Sequence, residues 1–218
     1  IWVIRTKLQY AFVLSSSGLF VESNQTLNSI PVDKLSRELL VEYYFQVRQL
    51  NDNLNAYIAT PPFSDIYRTK SSAARDSILV YLPEESPSRL HFKYLQAFSQ
   101  GDLEEAEKYL LTYIGTLQPG THEYAKMSHD MSWLYAEKNE EDKRIKYLIY
   151  SVMADIKDAV KENLALLNLS IWLYDHGDIY RAYDYIQFAL DDANVYNARF
   201  RHFLLSKELP IITNAYRQ

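Results

Sequence analysis

Apolar residues recur at three- and four-residue spacing along most of this chain. That spacing is typical of helices whose apolar stripe packs on neighbouring helices. Three stretches show it most regularly: Leu90–Ser99, Met127–Lys138 and Leu164–His176. Five glycines and seven prolines are too few for a protein built of many short strands. The pattern therefore predicts an all-α chain of about eleven antiparallel helices, with essentially no strand.

The N-terminal part of the chain is less regular. A long helix is predicted from about Asp33 to Ala59, followed by Thr60-Pro61-Pro62. Two consecutive prolines remove two backbone donors and force extended backbone, so we expect a break near residue 61. A further helix is predicted from about Ser64 to Tyr81.

A repeat becomes visible where these helices must turn. Three similar segments begin at Gly101, Asn139 and Gly177, each 38 residues after the one before, and an earlier copy begins at Gly18. Gly and Asn tolerate left-handed backbone at a helix end, and the acidic residues that follow favour the next helix N-terminus. We predict hairpin turns at all four positions. Residues 1–87 would hold irregular helix pairs and residues 88–218 the regular repeats with a C-terminal helix, within one continuous domain.

Charge and composition exclude several classes of protein. Residues 84–198 carry nine more acidic than basic side chains, and residues 199–218 carry three more basic than acidic ones. With a net charge of −5, a broad phosphate-binding surface is not expected. The absence of cysteine excludes disulfides and thiolate metal sites. The longest nearly apolar run, Leu164 to Tyr174, is interrupted by Asn168 and Ser170 and is too short to span a bilayer.

No arrangement of residues indicates catalysis. Thr121-His122-Glu123 lacks the second histidine of a zinc-protease motif, and no Gly-x-Ser-x-Gly elbow or phosphate loop occurs. Paired carboxylates such as Glu104 and Glu105 stand where a helix begins, so they suit the helix dipole. We therefore predict no enzyme activity, no catalytic residue, no metal and no cofactor.

The repeats resemble the tetratricopeptide repeat (TPR) family, in which a small residue is followed four positions later by a bulky one. The matching pairs are Ala106/Leu110, Ala182/Ile186 and Ser23/Leu27, and Ser132 and Ser170 match the small residue of the first helix. The departures are Tyr94 at that first-helix position, Arg144 at the small second-helix position, and four extra residues per repeat. The resemblance implies a TPR-like α-solenoid.

A second resemblance covers nearly the whole chain and rests on three blocks: Ser17–Ser23, Leu40–Phe45 and Leu209–Ile212. The chain is similar to the TPR-like extracytoplasmic sensor region of membrane-anchored transcriptional regulators of Bacteroidetes. Such a region would lie on the periplasmic side of the inner membrane, reach the membrane through a flanking segment, and make no direct nucleic-acid contact. Its ligand would be a peptide, a protein or a small molecule, with carbohydrate suggested because related regulators often accompany glycan-use genes. The alternative is a cytosolic TPR scaffold that docks a partner's peptide or helix.

The resemblance also implies a binding groove lined by the first helix of each pair. His91 and His129 share one repeat position that the family places on the groove side, and Phe98 and Tyr174 share another. Lys126 lies one turn before His129, and Trp133 one turn after it. We expect an aromatic, weakly cationic groove at neutral pH. The candidate ligand- or partner-binding residues are His91, Phe98, Lys126, His129, Trp133 and Tyr174. A clamp for acidic C-terminal peptides is disfavoured, because His129 and Trp133 stand where such a clamp has Lys and Asn.

Overall fold

The structure is a computed structural model that describes residues 2–160, 164–195 and 199–218. Within these ranges it contains eleven α-helices, one short 3₁₀ helix (Val32–Lys34) and no strand, which confirms the predicted all-α class. The helices are α1 (Trp2–Ser16), α2 (Phe20–Asn28), α3 (Arg37–Ile58), α4 (Phe63–Tyr81), α5 (Ser88–Ser99), α6 (Leu103–Ile114), α7 (His122–Glu137), α8 (Glu141–Lys157), α9 (Leu164–Asp175), α10 (Ile179–Val195) and α11 (Arg199–Arg217).

The four predicted hairpin turns are confirmed. Gly18, Gly101, Asn139 and Gly177 all have left-handed backbone, with φ of 81°, 80°, 57° and 81°. At each turn the next amide reaches back five residues to a carbonyl of the helix that has just ended, as in Asp102 N to Ala97 O at 3.0 Å and Asp178 N to Leu173 O at 2.9 Å. This bond satisfies a carbonyl that the helix end leaves unpaired, so the same turn chemistry ends α1, α5, α7 and α9.

The long helix α3 begins later than predicted. It starts at Arg37 rather than near Asp33, because Val32–Lys34 forms a separate 3₁₀ turn and Leu35 is extended. The hydroxyl of Ser36 accepts a hydrogen bond from the amide of Leu39 at 3.4 Å and so caps the helix. The other end agrees with the prediction, since α3 ends at Ile58 just before Thr60-Pro61-Pro62.

The chain divides into two compact units, which we call the N-terminal unit (Ile1–Phe92 with Ala198–Phe200) and the C-terminal unit (Lys93–Asn197 with Arg201–Gln218). The predicted organisation, with a change of character at residue 88 inside one continuous domain, stays a prediction. Within the described residues, none of the helices has both the length and the apolar character needed to cross a bilayer.

The N-terminal unit has a core where α1, α2 and α3 meet. Its buried residues are Leu8, Ala11, Leu27, Ile30, Leu39 and Leu50. The small residue Ser23 is 1% exposed, and its hydroxyl donates to the carbonyl of Ala11 at 2.8 Å. Leu27, four positions later, is 2% exposed. This earliest copy of the repeat therefore uses the predicted small and bulky pair.

The C-terminal unit is built on the same pairs. Ala106, Leu110, Ala182 and Ile186 are each 0% exposed, so the two regular pairs are fully buried. The serines that match the small first-helix position are buried as well, at 5% for Ser132 and 0% for Ser170. Tyr94, which departs from the family at this position, is also buried, and its hydroxyl donates to the carbonyl of Asp130 at 3.4 Å. The phenol ring at this position is therefore part of the packed interior, as the small residues are in the other pairs.

Candidate functional site

Helix α7 presents two of the predicted binding residues side by side. The helix is capped by Thr121, whose hydroxyl accepts from the amide of Tyr124 at 3.3 Å, and its apolar face is buried against neighbouring helices. His129 and Trp133 stand one turn apart on the opposite, more open face. The indole Nε1–H of Trp133 donates to Nε2 of His129 at 3.2 Å. Trp133 is nevertheless 52% exposed, so the hydrogen bond fixes a ring that remains accessible.

A residue on the next hairpin completes this cluster. Nδ2 of Asn168, on α9, lies 2.8 Å from Nε2 of His129. An indole nitrogen can only donate, so Nε2 of His129 must be the acceptor. This network assigns the proton of the ring to Nδ1. His129 is therefore a neutral imidazole that joins α7 to α9, and we call His129, Trp133 and Asn168 the indole cluster.

The electrostatic surroundings favour this neutral form. Burial lowers the pKa of His129, and Arg201 adds to that effect, whereas Asp130 and Asp155 act in the opposite direction. Lys126 is compensated too, because its Nζ lies 2.6 Å from Oε2 of Glu123. The expectation of a weakly cationic groove therefore stays a prediction. Burial disfavours the charged form of His129, and Lys126 is paired within its own helix.

The other three predicted residues, Phe98, Tyr174 and His91, each have contacts of their own. Phe98, on α5, is partly buried, and its ring centroid lies 5.7 Å from that of Tyr94. Tyr174, on α9, is partly buried and packs on the core of the C-terminal unit. His91 belongs to the N-terminal unit, where its ring centroid lies 5.5 Å from that of Phe92. The structure thus brings His129 and Trp133 together, and binding by any of the six residues stays a prediction.

Asn168 was missed as a site residue, although the sequence contained a signal. It lies 39 residues after His129, one more than the repeat length, so alignment by repeats pairs it with Asp130 instead. Its polar side chain is one of the two, with Ser170, that interrupt the apolar run of α9. A polar residue in an apolar helix needs a hydrogen-bond partner, and that need points towards a neighbouring helix.

The N-terminal unit contains a second candidate place for a ligand, which we call the amide pocket. It is a cavity of about 580 Å³ between α2, α3 and α4. Its α2 wall combines three amide side chains with three apolar ones, and the tyrosine rings of α3 and α4 add aromatic surface. The α2 residues are Asn24, Gln25 and Asn28 with Phe20, Val21 and Leu27. Lys70, near the ring of Tyr67, is the one charged side chain among the described lining residues. The pocket therefore suits a ligand that forms hydrogen bonds and carries little charge.

Paired helices with left-handed turns at a fixed spacing, and small residues buried at the same place in successive pairs, define a tetratricopeptide-type repeat protein. Residues 1–207 match the family model described as the SusR N-terminal TPR domain. The chain belongs to this family, which confirms the predicted likeness to the TPR-like region of Bacteroidetes regulators. No curated protein matches the sequence. The family points to the sensor region of a SusR-like regulator, built on a scaffold fold.

Proposed function

We propose that this chain is the ligand-sensing module of a membrane-anchored transcriptional regulator, and that its ligand binds at the indole cluster of α7 and α9. The proposal places the module on the periplasmic side of the inner membrane and assigns it no catalytic step. It is supported by the family to which residues 1–207 belong. The finer statement, that the indole cluster is the binding site, rests on geometry.

The carrying observation is that one imidazole nitrogen holds an exposed indole at the junction of two hairpins. Nε2 of His129 meets both Trp133 of its own helix, at 3.2 Å, and Asn168 of the next hairpin, at 2.8 Å. Because the indole N–H is already used, the face of the ring is what remains for a ligand. A ring held in place before binding loses little conformational freedom when a ligand arrives, which favours affinity.

The chemistry of the cluster favours a neutral ligand. Burial lowers the pKa of His129, which favours its neutral form, and Lys126 is paired with Glu123. The indole face offers an apolar platform, and the amide oxygen of Asn168 can accept hydrogen bonds. We therefore propose a small molecule that combines apolar ring faces with hydroxyl groups, which is the chemistry of a carbohydrate.

The position of the cluster also suggests how occupancy could be transmitted. A ligand that touches both Trp133 and Asn168 would favour one spacing of α7 and α9 over others. A ligand shifts a conformational equilibrium only through such a difference in affinity between states. The altered spacing would then be passed along the helix pairs towards a C-terminal neighbour.

A titration with a panel of neutral oligosaccharides, followed by calorimetry and by tryptophan fluorescence, tests the proposal. We expect saturable binding by wild-type protein, loss of binding in Trp133→Ala, and no change in Trp2→Ala. Trp2 is a suitable control because it is 85% exposed. Unchanged affinity in Trp133→Ala would refute the site. Binding of peptides but of no sugar would favour the alternative of a scaffold that docks a partner peptide.

A further inference from the structure

The C-terminal unit contains an apolar groove that the indole cluster does not use. It is a cavity of about 670 Å³ with α8 and α10 as walls and α9 as floor. Ile149, Met153 and Ile156 line the α8 wall, Leu169 lies on the floor, and Tyr185 and Phe188 line the α10 wall. We call this cavity the B-helix groove, since α8 and α10 are the second helices of their hairpins.

Its walls expose apolar side chains in a helical stripe. Ile149, Met153 and Ile156 follow one another at four- and three-residue spacing, with exposed fractions of 40%, 62% and 64%. Phe188, on the facing wall, is 53% exposed. Such a stripe is what a helix presents to another helix. The lining residues of α8 extend from Ile145 to Ile156, about 16 Å at the rise of an α-helix, so the groove accommodates about three helical turns.

The two walls differ in charge. On α10, Asp184 lines the groove, and Asp191 follows two turns later on the same helix face, beyond the lining residues. Both are exposed and have no ion-pair partner among the described residues. Arg181, which also lines the groove, is already bound to Asp178, with its Nε donating to Oδ2 at 2.6 Å. Helix α8 carries the exposed Lys146, which lies 5.7 Å from the ring centroid of Tyr150, and neither of these two residues lines the groove. The uncompensated negative charge is therefore local to the α10 rim.

We propose that the B-helix groove docks an amphipathic α-helix of a partner protein. The apolar stripe of that helix fills the groove, and two of its Lys or Arg side chains, spaced two turns apart, pair with Asp184 and Asp191. Charge complementarity of this kind selects a partner and sets its register more than it adds affinity. The interface lies on the second helices of the hairpins and does not depend on a ligand at the indole cluster.

A designed peptide probe tests this docking. The probe is a helix of about 15 residues, with Leu at alternating three- and four-residue spacing and two Lys on one flank, seven residues apart; its matched control has Glu at the two Lys positions. We expect the Lys peptide to bind wild-type protein and to change the fluorescence of Trp172, which lines the groove. The Glu peptide should bind about tenfold more weakly, because two favourable ion pairs become repulsive.

Two sets of variants decide the result. Asp184→Lys combined with Asp191→Lys should reverse the preference, so that the Glu peptide binds more tightly. Met153→Lys should abolish binding, whereas Val80→Lys should leave it unchanged, because Val80 is 69% exposed on α4 of the N-terminal unit. Circular dichroism checks that each variant is folded.

Equal binding of both peptides to wild type and charge-reversed protein would overturn the proposal, and so would no binding at all. Concentration-dependent dimers that Met153→Lys dissolves would also overturn it, in favour of a second copy as occupant.

Discussion

The amide pocket and the B-helix groove occupy equivalent places in the two units. Each lies between the second helix of one hairpin and both helices of the next, and each second helix starts just after a left-handed turn. Counted from those turns, Asn24 and Asn28 of α2 correspond to Ile145 and Ile149 of α8, six and ten residues on. The buried position between them is leucine in both helices, Leu27 and Leu148, each 2% exposed.

This correspondence distinguishes two kinds of position within one helix: those that pack in the core and those that line a cleft. The leucines that hold each hairpin together are the same, because a close-packed interior accepts few side-chain shapes. The two wall positions are amides in α2 and isoleucines in α8, and in both helices they line a cavity instead of the packed core. The repeat therefore sets where a cleft lies, and the residues on its walls set the polarity of the cleft.

The largest effect should come from the shared leucines. Leu27→Ala and Leu148→Ala should each lower the free energy of unfolding by about 2–5 kcal/mol, because both leave a cavity in a packed core. Asn28→Ala and Ile149→Ala, one position further on, should cost less than either. Chemical denaturation of the four variants measures this. A leucine variant as stable as wild type would show that the positions of α2 and α8 do not correspond in this way.

A smaller loss is expected from overpacking the small positions. Ala182 is 0% exposed against its partner helix, so Ala182→Leu should destabilise the protein by about 1–3 kcal/mol. Ala56→Leu is the control, since Ala56 is exposed on α3. Thermal unfolding compares the two. An unchanged melting temperature for Ala182→Leu would place that residue on the surface and weaken the repeat alignment.

The indole cluster should make stability depend on pH in one direction. Burial lowers the pKa of His129 below its ordinary value of 6.5, so between the two pKa values the unfolded chain binds a proton that the folded chain resists. The stability contributed by His129 is therefore present at higher pH and is lost as pH falls through that window. His129→Asn removes the titration while keeping an acceptor for Trp133. The advantage of wild type over this variant should shrink as the pH is lowered from about 7.5 to 5. A pH-independent difference would contradict the neutral assignment.

The smallest effect on stability should come from exchanging polar and apolar wall residues between the amide pocket and the B-helix groove. Asn24→Ile with Asn28→Ile should alter the free energy of unfolding by no more than about 0.5 kcal/mol per site, because both asparagines are exposed. The exchange should nevertheless raise the binding of an apolar fluorescent dye, and Ile149→Asn with Met153→Asn should lower it. Dye fluorescence relative to wild type measures both. Lower dye fluorescence in the Asn-to-Ile variant, or higher fluorescence in the variant with new asparagines, would show that the wall residues do not decide dye binding.

The fold could be predicted further than the site. Gly101, Asn139 and Gly177 mark turns by their own backbone preference, so their positions need no knowledge of the rest of the structure. The start of α3 was misplaced because Asp33 and Ser36 can both cap a helix, and only the extended Leu35 decides between them. Local sequence thus predicts a helix end where only one nearby residue can serve as the cap or turn residue.

The site depended on contacts between helices. The proximity of His129 and Trp133 follows from their spacing of four residues on one helix, but Asn168 reaches them from α9. The lowered pKa of His129 follows from burial, which a single helix does not reveal. The pairing of Lys126 with Glu123 could be predicted from their three-residue spacing on one helix.

The most direct test of ligand sensing at the indole cluster is calorimetry of the best oligosaccharide from the panel against three proteins. These are wild type, the double variant Trp133→Ala with His129→Ala, and an amide-pocket variant, Tyr67→Ala with Asn28→Ala. We predict that binding is lost in the indole-cluster variant and kept in the other, while circular dichroism shows all three to be helical. Retained affinity in the folded indole-cluster variant, with loss in the amide-pocket variant, would contradict the account and move the site to the amide pocket. Unfolding of the indole-cluster variant would contradict it too, because His129 and Trp133 would then belong to the core.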